Sequence, residues 1–267
     1  MIKLIQSEGE LNKEMLMKSL SGRKMIAYMN AYGTGYDFCR FYKITHESGE
    51  GFMFFINSTL IICTDGKLCA DYELVSFINM CIPFRIEGDT GILKEISVYV
   101  SDSYQVLNRT VFELVPDEGS QNFAEEFVNF NPSLPEVYKI LSEGFPNISD
   151  FSLWYTDTSH RCRHGISRVF TYRDCTTASM IFDIGNEVLI GQVATRLSAR
   201  GSGYAREFLK WLAYFLNNSG KRAFLLALDI RVSFYREIGF REIKTEIVLE
   251  RMDIEKESIS KGMLEDE

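Results

Sequence analysis

The chain has 267 residues, of which 46% are hydrophobic and 25% charged, a composition typical of folded globular proteins and long enough for two domains. Its net charge of −8 argues against a general nucleic-acid-binding protein, which needs a cationic surface, and mildly favours a cationic partner such as an amine. No apolar run approaches the roughly 20 residues that span a bilayer, and charge begins too early for a secretory signal, so we expect a cytoplasmic protein with no membrane partner.

The N-terminal half is predicted to alternate helices and strands. Apolar residues at helical spacing predict a helix over residues 11–20 and a helix or helix–strand pair over 24–31. Strand-like runs separated by Ser48-Gly49 and Asp65-Gly66 indicate hairpins. The further predicted elements are strands over 37–44, 51–56, 59–63, 82–86 and 106–114, and helices over 73–79 and 93–99.

A polar stretch rich in residues that interrupt regular structure runs from Pro116 to Pro135. Such a stretch is typical of a connection between domains. We therefore predict two contiguous domains, residues 1–130 and 131–267.

The C-terminal half has a different and more informative order. We predict a helix over 134–142, a polar loop over 156–165, and three antiparallel strands over 166–172, 176–182 and 188–195. An amphipathic helix over 204–216 follows, then a strand over 223–228 that is apolar on both faces and therefore internal. A short helix over 232–238 ends at Gly239, and a strand over 243–249 closes the domain.

The loop Arg200-Gly201-Ser202-Gly203-Tyr204-Ala205 joins the third of these strands to the amphipathic helix. Glycines let the backbone approach an anion, and a helix start presents unpaired N–H groups. The alternative is a tight turn into an ordinary packed helix. The loop is not a P-loop, because no Gly-Lys-Ser/Thr follows, and it lacks the third glycine of a dinucleotide fingerprint.

Two motifs together carry a family resemblance. Arg200, Gly203 and Ala205 match Arg/Gln-x-x-Gly-x-Gly/Ala, and Tyr235 precedes the pair Gly239-Phe240 with a helix and a strand between the motifs. Over about residues 132–250 the chain resembles the GNAT acyltransferase superfamily. The resemblance implies an α+β fold (α/β three-layer type), a splayed mixed sheet flanked by helices, in two such domains. It also implies an N-acyltransferase that moves an acyl group from acetyl-CoA or another acyl-CoA directly to an amine.

The resemblance also assigns the cofactor site. The arm of acyl-CoA is expected to pair with backbone groups of Gln192, Val193, Ala194 and Thr195, and its pyrophosphate to sit on the loop formed by Arg200, Gly201, Ser202, Gly203, Tyr204 and Ala205. Gly191 inside this strand indicates either a bulge or simple close packing.

The resemblance places two catalytic candidates. Tyr235 is the expected general acid for the leaving thiolate, with a core aromatic as the alternative. Glu187, at the start of the strand expected to bind the cofactor, is the candidate general base, with a solvated turn residue as the alternative. Many relatives have an asparagine before the tyrosine, whereas this chain has Asp229, about one position out of register.

The predicted polar loop after Trp154 carries candidates for the acceptor site: Asp157, His160, Arg161, Arg163 and His164. The alternative is that these side chains only satisfy loop backbone. His160 and His164 have a spacing that suits one helical face, but no third ligand is near, so we expect no metal.

The N-terminal half repeats the coarse element order without the glycine loop. Its acidic Asp71-Tyr72-Glu73 would repel phosphate at a helix start. We therefore predict a degenerate GNAT-like copy that binds no CoA; an unrelated α+β domain is the alternative. The expected acceptor is a small-molecule or protein amine, with a homodimer as an open alternative. The competing functions are an acyl-CoA sensor without turnover and an interaction protein that keeps only the fold.

Overall fold

The computed structural model describes residues 1–116, 123–145, 148 and 150–252. Part of the predicted domain connection, residues 117–122, and the end of the predicted second domain, from residue 253, lie outside the described residues. Among the helices of the described ranges, none combines the length and apolar character needed to cross a bilayer. The elements are β1 (Ile2–Leu4), α1 (Lys13–Leu16), α2 (Leu20–Tyr32), β2 (Cys39–His46), β3 (Gly49–Ile56), β4 (Thr59–Thr64), α3 (Tyr72–Cys81), β5 (Arg85–Gly88), α4 (Thr90–Tyr99), β6 (Tyr104–Glu113), β7 (Val128–Asn129), α5 (Leu134–Gly144), α6 (Phe151–Arg163), β8 (Arg168–Tyr172), β9 (Thr176–Ile184), β10 (Glu187–Thr195), α7 (Tyr204–Asn218), β11 (Arg222–Leu228), α8 (Asp229–Ile238) and β12 (Arg241–Arg251).

Two segments differ from the predicted elements. The helix expected over 11–20 is interrupted, because Ser19 is extended and its hydroxyl accepts a hydrogen bond from Gly22 N, which starts α2. The loop expected over 156–165 is wrong: most of it is α6, capped by Asp150, whose carboxylate accepts from Ser152 N. Its buried side consists of Trp154, Thr158 and Arg161. Two of these three buried residues are polar, so a search for apolar residues at helical spacing did not reveal the helix.

Contacts divide the chain into two compact units, each drawn from separate stretches of sequence. The first unit comprises Met1–Met15, Tyr36–Asn108 and Glu246–Glu267, and the second comprises Leu16–Gly35 and Arg109–Thr245. The contiguous division at residue 130 does not describe these units. The physical reason is strand pairing: the end of β12 pairs with β5 through Leu249↔Ile86, whereas the end of β6 pairs with β11.

The second unit is a mixed sheet in the order β6-β11-β10-β9-β8-β7. The pairs are antiparallel except β10 with β11, which is parallel. Its largest core includes Phe208 and Leu212 of α7 and Tyr235 of α8. Ala27 of α2 packs in a separate cluster with sheet residues such as Phe182. The unit is thus a sheet flanked by helices.

The first unit has the same strand pattern. Its order is β1-β2-β3-β4-β5-β12, and only β4 and β5 are parallel. Helices α3 and α4 contribute Leu74, Ile78, Leu93 and Ile96 to its core. In both units an antiparallel meander leads to a parallel pair, with a helix between the two parallel strands. This confirms the predicted mixed sheets flanked by helices in two copies.

Candidate active site

A gap opens between the two parallel strands of the second unit. β10 and β11 pair from Glu187↔Arg222 to Ile190↔Leu225. Beyond Ile190, β10 keeps its pairing with β9 as far as Thr195↔Thr176. Since β11 continues to Leu228, both strands extend past their last common pair. The predicted splay is therefore present, and it starts at Ile190.

The strand β10 is distorted where the gap begins. The register of β10 against β9 shifts between Gly191 and Ala194, and Gln192 has a left-handed φ of 52°. Gly191 also packs closely, because a Cβ there would lie 2.9 Å from Cγ1 of Ile181. Both readings of Gly191, a bulge and close packing, are thus correct.

A cavity of about 480 Å³ occupies this end of the second unit. It lies between the distal part of β10, the glycine loop and α8. Gln192 and Ser202 are the two predicted cofactor residues outside its lining. The lining residues that the sequence singled out are Val193, Ala194, Thr195, Arg200, Gly201, Gly203, Tyr204, Ala205 and Tyr235.

The glycine loop has the backbone geometry of an anion site. Gly201 and Gly203 have φ of 84° and 80°, values that residues with a Cβ adopt at a cost. Gly203 is the N-cap of α7, and no side chain caps the helix start. The N–H groups of the first turn therefore have no side-chain cap, and unpaired N–H groups with the positive end of the helix dipole are a suitable environment for a pyrophosphate.

We expect Gly203→Ala to weaken CoA binding by roughly tenfold, because a left-handed alanine costs about 1–2 kcal/mol. Isothermal titration with CoA measures this. Gly220→Ala is the matched control. Gly220 follows the other end of α7 with a φ of 71°, so an alanine there has the same backbone strain but lies away from the glycine loop. Equal loss of CoA affinity in both variants would contradict a phosphate role for the loop.

Arg200 holds the loop in shape. Its Nε donates to the Thr195 carbonyl at 3.2 Å, and its Nη2 donates to the Glu143 carbonyl at 2.8 Å. The Glu143 carboxylate in turn accepts from Leu197 N at 2.6 Å. The sequence analysis missed Glu143, since a glutamate near the end of a helix carries no local signal for a loop packed against it.

Five further lining residues were missed: Gly144, Ala199, Arg206, Arg231 and Phe234. Gly144 allows α5 to approach β10, because a Cβ there would lie 2.9 Å from the Cβ of Ala194. A glycine two residues after the predicted helix over 134–142 was the available signal. Arg231 and Phe234 lie on α8. The position of Arg231 four residues before Tyr235 was a signal for that residue once the helix extends to it, whereas Phe234, next to Tyr235 in sequence, had no such signal.

Tyr235 combines burial with access to the cavity. Its side chain is 9% exposed, and its ring lies 5.6 Å from that of Phe112 and 6.4 Å from that of Phe240. Burial raises the pKa of its phenol, while nearby Arg231 lowers it. The phenol is therefore protonated at neutral pH and able to donate.

Glu187 lies away from this cavity. It begins β10, six residues before Val193, a separation of about 20 Å along a strand. Its carboxylate is 3.1 Å from Arg23 Nη1 and 3.4 Å from Arg222 Nη1. These contacts are those of a structural ion pair, and the structure does not bring Glu187 together with Tyr235. Asp229, the first residue of α8, is exposed and outside the lining.

Four of the five predicted acceptor residues lie on α6 and the fifth, His164, is its C-cap. Several of them face α2. Arg161 is 3% exposed and makes a paired contact with Asp157, Nη2 to Oδ2 at 2.6 Å. Tyr32 donates to Asp157 at 2.7 Å and stacks on His160 at 4.4 Å between centroids. The structure therefore joins Asp157, His160 and Arg161 in a network within the second unit.

The remaining two acceptor candidates are at the exposed end of α6. Arg163 donates to the Ser159 carbonyl at 3.4 Å, and His164 Nδ1 donates to the His160 carbonyl at 2.9 Å. Both contacts are within the helix. None of the five acceptor candidates lines the cavity, and their part in acceptor binding stays a prediction.

Comparisons with solved structures identify the fold. The chain is similar to an acetyltransferase from the GNAT family of Colwellia psychrerythraea, at 15% identity and a TM-score of 0.53, over 95% of this chain and 100% of that one. It is also similar to a tandem GNAT protein from the clavulanic acid biosynthesis pathway, at 9% identity and a TM-score of 0.53, over 93% and 97%. No protein-family model matches the chain, and no curated protein does. The chain thus has the GNAT fold in a tandem arrangement.

Proposed function

We propose that the second unit is an acyl-CoA-dependent N-acyltransferase, with acetyl-CoA as the expected donor and an amine as the acceptor. The observation that carries the proposal is one cavity lined by the splayed strand, the glycine loop and a buried tyrosine. The loop suits the pyrophosphate of CoA, and the gap beyond Ile190 suits its extended arm. The reactive thioester then lies near Val193 and Tyr235.

The chemistry follows from these positions. The amine nitrogen attacks the thioester carbonyl carbon, and the Val193 N–H donates a hydrogen bond to the developing oxyanion. The carbon–sulfur bond breaks, and the Tyr235 phenol gives its proton to the leaving thiolate. The proton lost by the amine returns to the phenolate through water. The products are the amide and free CoA.

The cavity lining favours water as the route for the amine proton. Among the described residues that line it, none is a carboxylate or an imidazole. The same observation supports the second candidate function, an acyl-CoA sensor without turnover. Both functions need CoA binding, whereas only the enzyme releases free thiol when an amine is added.

The deciding experiment follows thiol release from acetyl-CoA with four kinds of amine: a polyamine, an amino acid, an aminoglycoside and a lysine peptide. Amine-dependent release with formation of the amide supports the enzyme. Tight binding of acetyl-CoA with no release for any amine supports the sensor. Absence of CoA binding would leave only the fold.

We further propose that the first unit binds no CoA, because its own side chains occupy the corresponding loop. The N–H of Ala70 donates to the Glu95 carboxylate at 2.8 Å, and that of Leu74 donates to Asp71 at 2.8 Å. Asp89 accepts from Thr64 N at 2.6 Å at the end of the parallel pair β4–β5. Carboxylates thus take the hydrogen bonds that a phosphate would need.

Titration calorimetry is therefore expected to give one CoA per chain. The reason is that loop N–H groups already bonded to fixed carboxylates offer no site for a further anion. In the Gly203→Ala variant the same single site weakens. Two equivalents of bound CoA, or a second site that survives in this variant, would contradict the proposal.

A further inference from the structure

The distortion at Gln192 has a feature that the cofactor site leaves unexplained. Gln192 is the one residue of β10 with a positive φ, 52°. A glycine would adopt this conformation without steric cost, whereas the chain places a long polar side chain there. Strained positions of this kind concentrate at active sites and ligand-binding sites.

The side chain of Gln192 is fixed by a buried partner. The hydroxyl of Ser179 on β9, 2% exposed, donates to Gln192 Oε1 at 3.0 Å. Because Oε1 accepts the hydrogen bond from Ser179, the other end of the carboxamide is the Nε2 group, which has two N–H donors. The hydroxyl therefore sets which end of the carboxamide is left to bind another molecule.

Gln192 and its neighbour have different surroundings. Val193 lines the cavity, whereas Gln192 does not and instead reaches Ser179. It is partly exposed, and it lies two residues beyond the last β10–β11 pair. If acyl-CoA fills the cavity, the amine has to reach the carbonyl from a direction that the cofactor leaves open.

We propose that Gln192 positions the acceptor, with its Nε2 group donating a hydrogen bond to an oxygen of the acceptor molecule, and that Ser179 orients Gln192. This inference rests on the proposed N-acyltransferase function. It commits to a substrate class: amines that carry a hydroxyl or carbonyl oxygen near the nitrogen. A donor group suits such an oxygen, and it has no attraction for an ammonium, which is itself a donor.

The test compares Gln192→Met, Ser179→Ala and the double variant with two acceptors of equal size, ethanolamine and propylamine. With ethanolamine we expect kcat/KM to fall about tenfold in Gln192→Met, as for one lost hydrogen bond, and severalfold in Ser179→Ala. The double variant should be no worse than Gln192→Met, because Ser179 acts through Gln192. With propylamine the loss in each variant should be at least fivefold smaller than the loss in Gln192→Met with ethanolamine, because propylamine has no oxygen for the Nε2 group to bind.

Ser167→Ala is the matched control. Ser167 is also buried, and its hydroxyl donates to the Met180 carbonyl, next to Ser179. The control should resemble the wild type with both acceptors. Equal losses with propylamine and ethanolamine, additive effects in the double variant, or no loss at all would overturn the inference while leaving the proposed function intact. If the wild type binds acetyl-CoA and acylates no amine, both proposals fail.

Discussion

Replacing Tyr235 by phenylalanine is expected to lower kcat by about 100-fold or more, the contribution typical of a positioned general acid. The ring stays packed between Phe112 and Phe240, so folding should be little affected. CoA affinity should stay within about twofold of the wild type, because the phenol acts on the leaving thiolate. Thiol release measures the first quantity and calorimetry the second.

The dependence of activity on pH tests the role of the Tyr235 phenol independently. Burial raises the pKa of the Tyr235 phenol above its ordinary value near 10. A general acid works while protonated, so activity that depends on Tyr235 should persist to about pH 10 and fall only as the pH rises beyond that. The basic limb should be absent from Tyr235→Phe.

Tyr104→Phe is the control for this variant. Tyr104 belongs to the first unit, is buried, and its hydroxyl donates to the Pro83 carbonyl at 2.6 Å. The same chemical change there should lower stability somewhat and leave kcat unchanged. An unchanged kcat in Tyr235→Phe would remove Tyr235 from the mechanism.

Replacing Asp157 by leucine is expected to destabilise the fold by about 3 kcal/mol, because it leaves the buried guanidinium of Arg161 without its carboxylate. Arg161 also donates to the Ile181 carbonyl at 3.3 Å, and this hydrogen bond to β9 keeps the guanidinium in its buried position. Urea unfolding measures the change. The double variant Asp157→Leu/Arg161→Met should recover at least half of the loss, since it removes the uncompensated charge.

Lys139→Met is the comparison for an exposed pair. Nζ of Lys139 lies 2.7 Å from Oε1 of Glu136, and the two side chains are 62% and 54% exposed. Breaking such an exposed pair changes the free energy of unfolding by less than about 1 kcal/mol. A small effect in Asp157→Leu, together with a large rise in the KM for the amine, would show that Asp157 serves the acceptor instead of the fold.

The glycine loop could be predicted from sequence because its geometry is local. Gly201 and Gly203 lie within three residues of the helix that they precede, and both have the positive φ that favours glycine. Tyr235 and the Gly239 turn are similarly local to α8. The position of Glu187 could not be predicted, because its partners Arg23 and Arg222 come from other parts of the chain.

The helix α6 shows the limit of periodicity. Trp154, Thr158 and Arg161 recur at helical spacing and are buried, but two of them are polar. The burial of Arg161 depends on partners such as Asp157 and the Ile181 carbonyl, and the sequence does not reveal these partners. A polar helix face was therefore interpreted as a loop.

By itself, the sequence determined most of the element order, the glycine loop and the tyrosine that follows it, because each depends on residues a few positions apart. Only the tertiary structure decided the rest. It pairs β12 with β5 and β6 with β11, which makes the units discontinuous. It also ends the β10–β11 pairing at Ile190 and sets Ser179 against Gln192. These contacts join distant segments through backbone pairing and buried hydrogen bonds, and neither leaves a periodic pattern in the sequence.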